Sequence, residues 1–144
     1  MLFRSTLVFQ GPTSISGKLF VIGTGPGADR WMSPEVRYVL KQATDWVGYT
    51  TYLNLVEPLR SHQTRHDSDN REELDRARFA LDLAASGKSV VMVSSGDPGI
   101  FAMAAAVFEA IDTDQNPSWN TIDLQICPGK IGRASCRERV YGLV

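Results

Sequence analysis

An α/β fold with an open, mainly parallel sheet and helices on both faces is the class predicted by this sequence. Short apolar runs alternate with helical stripes along the chain, the order that builds a parallel sheet. Val90-Val91-Met92-Val93 is apolar without interruption, as in strands covered on both faces. Two such runs lead straight into loops of glycine and proline: Leu19-Phe20-Val21-Ile22 into Gly23-Thr24-Gly25-Pro26-Gly27, and residues 90–93 into Ser94-Ser95-Gly96-Asp97-Pro98-Gly99. Both read as strand-to-helix corners, and open sheets bind small molecules outside the carboxyl ends of their strands. The two corners are therefore expected to lie side by side and line one composite pocket.

The first strand starts at Gly17 and Lys18. Ser33 is placed to cap a helix and Pro34 suits its first position, with Val36, Val39, Leu40 and Ala43 at helical spacing behind them. Residues 45–49 predict a short second strand, followed by Thr50-Thr51-Tyr52-Leu53 and a break near Pro58; residues 64–66 predict a weakly marked third. Asn70 and Glu73 have capping-box spacing ahead of the stripe Leu74, Ala77, Leu81 and Ala84, which Gly87 ends. Glu72 and Arg76 read as an exposed pair worth roughly a few tenths of a kcal/mol. Phe101, Ala104, Ala105, Phe108 and Ile111 mark the apolar face of the next helix, and residues 122–126 alternate like a half-buried strand ending at Pro128-Gly129.

Beyond Gly129 the character changes. Residues 130–139 hold four basic side chains with neither a stripe nor a strand pattern, and residues 130–144 are read as a foreign or truncated tail. Residues 1–17 are read as a leader without a targeting pattern or as the end of an upstream segment.

With 144 residues the chain is of single-domain size, and a hydrophobic content of 43% is ordinary for a packed fold. A formal charge of −1 gives no field to gather nucleic acid or an anionic membrane surface. No apolar run approaches the roughly 20 residues that span a bilayer. Cys127 and Cys136 have neither Cys-x-x-Cys spacing nor a nearby histidine, so neither a disulfide scaffold nor a zinc site is expected, and a reducing cytoplasm is the simplest location. His62 and His66 are isolated, and Trp31, Trp46 and Trp119 are unclustered; packing and surface roles are expected of them. Arg30, Arg37, Lys41, Arg60, Arg65 and Arg71 are basic candidates toward an acidic ligand, each with a solvated surface role as the default.

Gly23-Thr24-Gly25-Pro26-Gly27-Ala28 matches the dinucleotide fingerprint G-x-G-x-x-G/A, but two details oppose that reading. The helix signal waits until Ser33-Pro34 instead of opening inside the loop. The second strand is closed by Tyr49-Thr50, whereas the acid that would bind a ribose, Asp45, stands before it. Pro26 stiffens its turn and biases the preceding residue toward extended geometry. Asp97 has two readings: a ligand acceptor, or the cap of a helix that begins near Pro98.

Residues 19–27, the segment Val47-Gly48-Tyr49-Thr50-Thr51-Tyr52-Leu53, and residues 88–103 with Ser94 to Phe101 strongly resemble the tetrapyrrole methylase family, over roughly residues 18–129. The resemblance implies the amino-terminal α/β domain of a two-domain protein, the carboxyl-terminal domain being missing from this chain, and a homodimer at full length. It implies S-adenosylmethionine as cofactor, bound folded between the domains, with Pro26, Ser95, Gly96, Asp97 and Ile100 at cofactor-contacting positions. By the same likeness Gly25-Pro26-Gly27 and Tyr49-Thr50 face a tetrapyrrole, a precorrin of cobalamin biosynthesis. The implied activity is C-methylation, at ring carbon 17 of precorrin-3B with contraction of the macrocycle. Some relatives carry an acid where this chain has Thr50, so the resemblance assigns no general base. Methyl transfer from a sulfonium needs positioning and desolvation more than a side-chain nucleophile; positioning contributes roughly 7–11 kcal/mol. The alternatives are methylation at another precorrin carbon, an oxidoreductase domain binding NAD or FAD, and a fragment that only binds.

Overall fold

The computed structural model describes residues 17–24, 32–56, 59–68, 72–127 and 138–139. Its elements are β1 (Lys18–Gly23), α1 (Pro34–Gln42), β2 (Asp45–Tyr49), α2 (Thr50–Leu53), β3 (Thr64–Ser68), α3 (Glu73–Ala85), β4 (Ser89–Ser94), α4 (Asp97–Asp114), a 3-10 turn (Pro117–Trp119), β5 (Asp123–Cys127) and β6 (Glu138–Arg139). They form a sheet of order β3-β2-β4-β1-β5-β6, in which the first five strands are parallel and β6 alone runs antiparallel.

Alternation along the strands divides the core into two layers. Leu19 and Val21 of β1, Val47 of β2, Val90 and Met92 of β4 and Leu124 of β5 pack with α3 and α4. Ile22, Trp46, Val91 and Val93 pack on the opposite face with Val36, Val39 and Leu40 of α1. The chain moves one way along the sheet from β1 to β3 and the other way from β3 to β5, so right-handed crossovers put α1 and α3 on opposite faces.

Local chemistry explains the helix ends. Ser33 caps α1, its hydroxyl accepting from the Val36 N–H at 3.2 Å, and Pro34 fills the first turn. At the other end Gln63, buried and ahead of β3, donates from Nε2 to the carbonyls of Leu40 at 2.7 Å and Ala43 at 2.8 Å. A distant side chain thus satisfies carbonyls that the helix itself cannot. In α3 the cap position belongs to Glu72, with no side-chain cap bond; Asn70, expected in a capping box with Glu73, lies outside the described residues. The stop is as expected: Gly87 takes a φ of 102° just past Ser86.

Other expectations fail for identifiable reasons. The buried face of α4 is Ile100, Met103, Ala104, Ala106, Val107 and Ala110, with Phe108 and Ile111 partly buried against it as expected, while Phe101 is 67% exposed and Ala105 lies outside. This helix is apolar nearly all round, so periodicity alone does not choose its inner face. The segment expected to lack strands supplies β6, which pairs Arg139 with Gln125 and Glu138 with Ile126. A parallel sheet leaves an unpaired edge at β5, and backbone pairing there demands little of side chains. Cys127, fully buried, is disulfide-bonded, contrary to the expectation of no bridge; its partner lies outside the described residues. Short-spacing rules do not see cysteines that only a fold brings together.

Gly17 joins the amino ends of β1 and β5 to the end of α3: its N–H donates to Ala84 O at 3.0 Å and its carbonyl accepts from Asp123 N–H at 3.2 Å. A Cβ added there would run into the backbone of Lys88 and Ala84, closer than real contacts allow. Gly17→Ala is expected to lower stability by about 1–3 kcal/mol, because backbone, not a flexible tip, must yield. Urea unfolding of both proteins measures this; an unchanged midpoint would contradict the packing.

Candidate functional site

The two glycine corners meet at the carboxyl end of the sheet. β1 and β4 are neighbours in register, Gly23 opposite Ser94. Past that pair the Thr24 N–H donates to Ser94 O at 3.1 Å and Ser95 O at 2.9 Å, and Ser94 Oγ donates to Ile22 O at 2.9 Å. Thr24 is 1% exposed, so this stitch is buried. From it the chain leaves β1 for the α1 face and leaves β4 for the α4 face. Adjacent strands whose connections diverge create the crevice in which α/β sheets bind ligands. Gly25, Pro26 and Gly27 lie outside the described residues.

On the β4 side, Gly96 is the N-cap of α4 and makes no side-chain cap bond. The helix starts at Asp97, so the reading of Asp97 as the cap gives way to Gly96. Glycine there puts no side chain of its own over the first turn of a long helix, a favourable place for acceptor groups. Ile100 donates its N–H to Gly96 O at 3.0 Å and buries its side chain in the core beneath the turn. Gly99 packs against Ser95: a Cβ on it would stand 2.7 Å from Ser95 Oγ.

A cavity of about 370 Å³ opens on the other side of β4, lined by Tyr49 and Tyr52, by Val93 and Ser94, and by Arg76 and Gly99 among others. The two tyrosine rings lie 5.4 Å apart and tilted by 59°. The cavity brings Tyr49 together with the neighbours of Ser95 and Ile100, which stand among the expected site residues. It also contains a residue that sequence reasoning missed. Arg76, expected in an exposed pair with Glu72, is only 6% exposed. Its signal was faint but present: it sits one position before the Ala77 stripe, on the same side of α3.

Thr50 is absent from that lining and opens α2 at the contact with β3. There Arg65 donates to Asn54 Oδ1 at 2.6 Å, to Asp67 Oδ2 at 3.0 Å and to Thr50 O at 3.4 Å. The bond from Arg65 holds the exposed Asp67 carboxyl below the usual carboxylate range, with a smaller contribution from Thr50. Arg65, expected to be solvated, thus ties α2 to the sheet edge. At the opposite, amino end of β2 the buried Asp45 bonds His66 Nε2 at 2.8 Å and accepts from Thr44 Oγ1 at 2.7 Å. Asp45 is therefore remote from the crevice. Among the described residues no helix is long and apolar enough to cross a membrane, and no group of three or more acidic, histidine or cysteine side chains has the geometry to hold a metal ion.

Similarity to known proteins agrees with this arrangement. The family model for Tetrapyrrole (Corrin/Porphyrin) Methylases matches residues 18–129. The chain is 48% identical over 127 residues to the precorrin-3B C(17)-methyltransferase of Sinorhizobium sp, a match covering 88% of this chain and 49% of that protein. It is 43% identical to the cobalamin biosynthesis protein CobIJ of Mycobacterium bovis, covering 88% of this chain and 24% of the other. The crystal structure of the methyltransferase CobJ superposes with a TM-score of 0.72 at 49% identity, over 80% of this chain and 47% of that one. That of cobalt precorrin-4 methyltransferase, CbiF, gives 0.60 at 25% identity, over 87% and 49%. The chain thus spans half or less of each of these proteins. Its fold, its crevice at β1 and β4, and the family match over residues 18–129 together establish that it belongs to the tetrapyrrole (corrin/porphyrin) methylase family.

Proposed function

We propose that this chain is the amino-terminal α/β domain of an S-adenosylmethionine-dependent methyltransferase of cobalamin biosynthesis. Its substrate is a precorrin, methylated at ring carbon 17 of precorrin-3B with ring contraction. The observation that carries the reading is the buried stitch from Thr24 to Ser94 and Ser95, which holds two glycine corners at one divergence of the sheet. The named relatives support the regiochemistry. A second α/β domain beyond residue 129 completes the cofactor cleft, and the full-length protein is a homodimer.

The residues present fit such a cofactor. Gly96 puts no side chain over the start of α4, and Gly99 lets that helix approach Ser95 closely. When bound, S-adenosylmethionine supplies a methyl group on a sulfonium. Ser95, Gly96, Asp97 and Ile100, with Pro26 from outside the described residues, would hold this cofactor, as the family resemblance implies. Tyr49 and Thr50, with Gly25 and Gly27 from outside the described residues, would face the tetrapyrrole by the same resemblance. The work of the protein is to orient the two reactants and exclude water.

Binding of NAD or FAD is disfavoured by two observations. Helix α1 begins at Pro34, well past the glycine loop, and β2 ends in Tyr49 with its acid, Asp45, at the far end. Isothermal titration of the chain with S-adenosylhomocysteine, NAD and FAD decides between them; tight NAD binding without a response to S-adenosylhomocysteine overturns the methylase reading. Asp97→Ala is expected to weaken S-adenosylhomocysteine by roughly tenfold, the scale of a lost charge-assisted hydrogen bond. Asp45→Ala is expected to lower the melting midpoint instead, since it removes the buried bonds from Asp45 to His66 and Thr44. Equal effects of the two on affinity would contradict the placement of the cleft.

A further inference from the structure

Arg76 has a partner within the fold, so what the cavity beside β4 offers a ligand is set by its other lining side chains, Tyr49, Tyr52 and Glu73 among them. The rings of Tyr49 and Tyr52 are half-buried, with centroids 5.4 Å apart and planes inclined by 59°. They form a corner, not a stack, and the face of an aromatic ring attracts positive charge. Glu73 is an exposed residue whose ionised carboxylate only accepts hydrogen bonds. Either acid in the first turn of α3, Glu73 or Asp75, suits the helix macrodipole, but only Glu73 also stands among the described residues of the lining. Two ring faces and a carboxylate around one space draw in a cation and repel an anion. We propose that this cavity binds the positively charged group of an organic ligand, a sulfonium or an ammonium, against the two tyrosines with Glu73 as its counter-charge.

The size of the cavity suits a headgroup and not a whole macrocycle: at about 370 Å³ it lies at the low end of small-molecule cavities, roughly 300–1,000 Å³. Val93 and Met103 add apolar surface to the lining, as alkyl groups on a charged sulfur or nitrogen require, and the Met103 thioether is polarisable. Ser94 and Gly99, also in the lining, flank Ser95 and Gly96, so the cavity stands beside the proposed cofactor turn. Two sources of positive charge belong there: the cofactor, through its sulfonium or its amino-acid ammonium, and a protonated nitrogen of the substrate. S-adenosylhomocysteine has a neutral sulfur, so a site for the sulfonium favours the methyl donor over its product. This choice of ligands rests on the methyltransferase reading; the preference for positive charge rests on the tyrosines and Glu73.

The test begins with simple ions on this chain: tetramethylammonium and trimethylsulfonium, against neutral tert-butanol, at constant ionic strength, with the ring resonances of Tyr49 and Tyr52 followed by NMR. Both cations are expected to move the two rings, and tert-butanol to leave them in place. Glu73→Gln and Tyr52→Leu are each expected to weaken the cations by about threefold or more, while Tyr52→Phe, which keeps the ring, binds them as the parent does. Rings that ignore the cations, rings that respond equally to tert-butanol, or a Glu73→Gln protein with unchanged cation affinity would overturn the proposal. Glu73 is exposed, so that last arm does not depend on a variant with a damaged core. Titration with S-adenosylmethionine, S-adenosylhomocysteine and 5′-methylthioadenosine then assigns the source. A loss on Glu73→Gln confined to S-adenosylmethionine assigns the cavity to the sulfonium. A loss shared with S-adenosylhomocysteine but not with 5′-methylthioadenosine, which lacks the amino-acid end, assigns it to the ammonium. Cations that need Glu73 while no adenosyl compound does leave the cavity to a protonated nitrogen of the substrate. Failure of the unmutated chain to bind any adenosyl compound counts against the methyltransferase reading alone, because the simple cations test the cavity without it.

Discussion

Trp46→Ala is expected to cost about 3–5 kcal/mol of folding stability, the range for deleting a large buried aromatic. Set against a total of about 5–15 kcal/mol for a domain, that leaves the chain near unfolding. Trp46 is 1% exposed and sits on the central part of β2, paired with Val91 of β4 and Arg65 of β3. It is the largest fully buried side chain in the layer that joins α1 to the sheet, beside Val36, Leu40, Leu53 and Val91. Its indole N–H donates to Leu40 O at 3.1 Å, and Gln63 donates to the same carbonyl at 2.7 Å. Removing the indole therefore leaves that carbonyl with a partner, so the cost is the cavity and the lost burial, not an unsatisfied acceptor. Trp46→Phe, which keeps most of the ring and loses the N–H, is expected to lose distinctly less. Urea unfolding followed by far-UV circular dichroism measures both; a loss under about 1 kcal/mol for alanine would mean that α1 repacks freely.

The contrast between Trp46 and Arg76 marks how far sequence patterns reach in this chain. Ser33-Pro34, the stripe of α1 and the continuous run of β4 are local signals whose physics is complete within a few residues, and the structure realises each. The neighbourhood of the two glycine corners was also legible, because strand ends followed by glycine loops restrict the topologies available to a parallel sheet. What was not legible depends on contacts between segments far apart in the chain. Gln63 carries no local signal for its role, which arises only when the fold brings it to the carbonyls at the end of α1. Phe101 reads as core because α4 is apolar on most sides, and only the close approach of small residues, Ala77, Ala80 and Ala84 of α3 with Ala106 and Ala110 of α4, decides which face turns inward. Arg76 reads as a surface charge because i,i+4 spacing to Glu72 is a helix-surface pattern, whereas the fold places it in a cavity lining with Tyr49 of β2, Tyr52 of α2 and Gly99 of α4. Charge at the edge of an apolar stripe, one residue from its buried alanine, is a signal worth weighing in related sequences.

Gly99→Val is expected to reduce binding of S-adenosylhomocysteine by about tenfold or more, the scale of a lost hydrogen bond to a charged group. Gly99 lies in the first turn of α4, and its absent side chain is what lets Ser95 lie against the helix: a Cβ would meet Ser95 Oγ at 2.7 Å and Ser94 Cβ at 3.7 Å. The nearest atom is the tip of a short, rotatable side chain, so the hydroxyl swings away and the backbone stays. Valine also recovers part of the roughly 1 kcal/mol that glycine costs a helix, which offsets some of the contact. The melting midpoint is therefore expected to stay within about 4 °C of the parent. Affinity lost with stability kept is the signature of a displaced ligand group, not of a damaged fold. A double-mutant cycle with Ser95→Ala isolates the cause: with the hydroxyl gone, the valine has less to displace, and the two substitutions should be non-additive by more than about 1 kcal/mol. Strict additivity, or unchanged affinity in the single valine variant, would take Ser95 out of the cofactor turn and move the site toward the Arg76 side of β4.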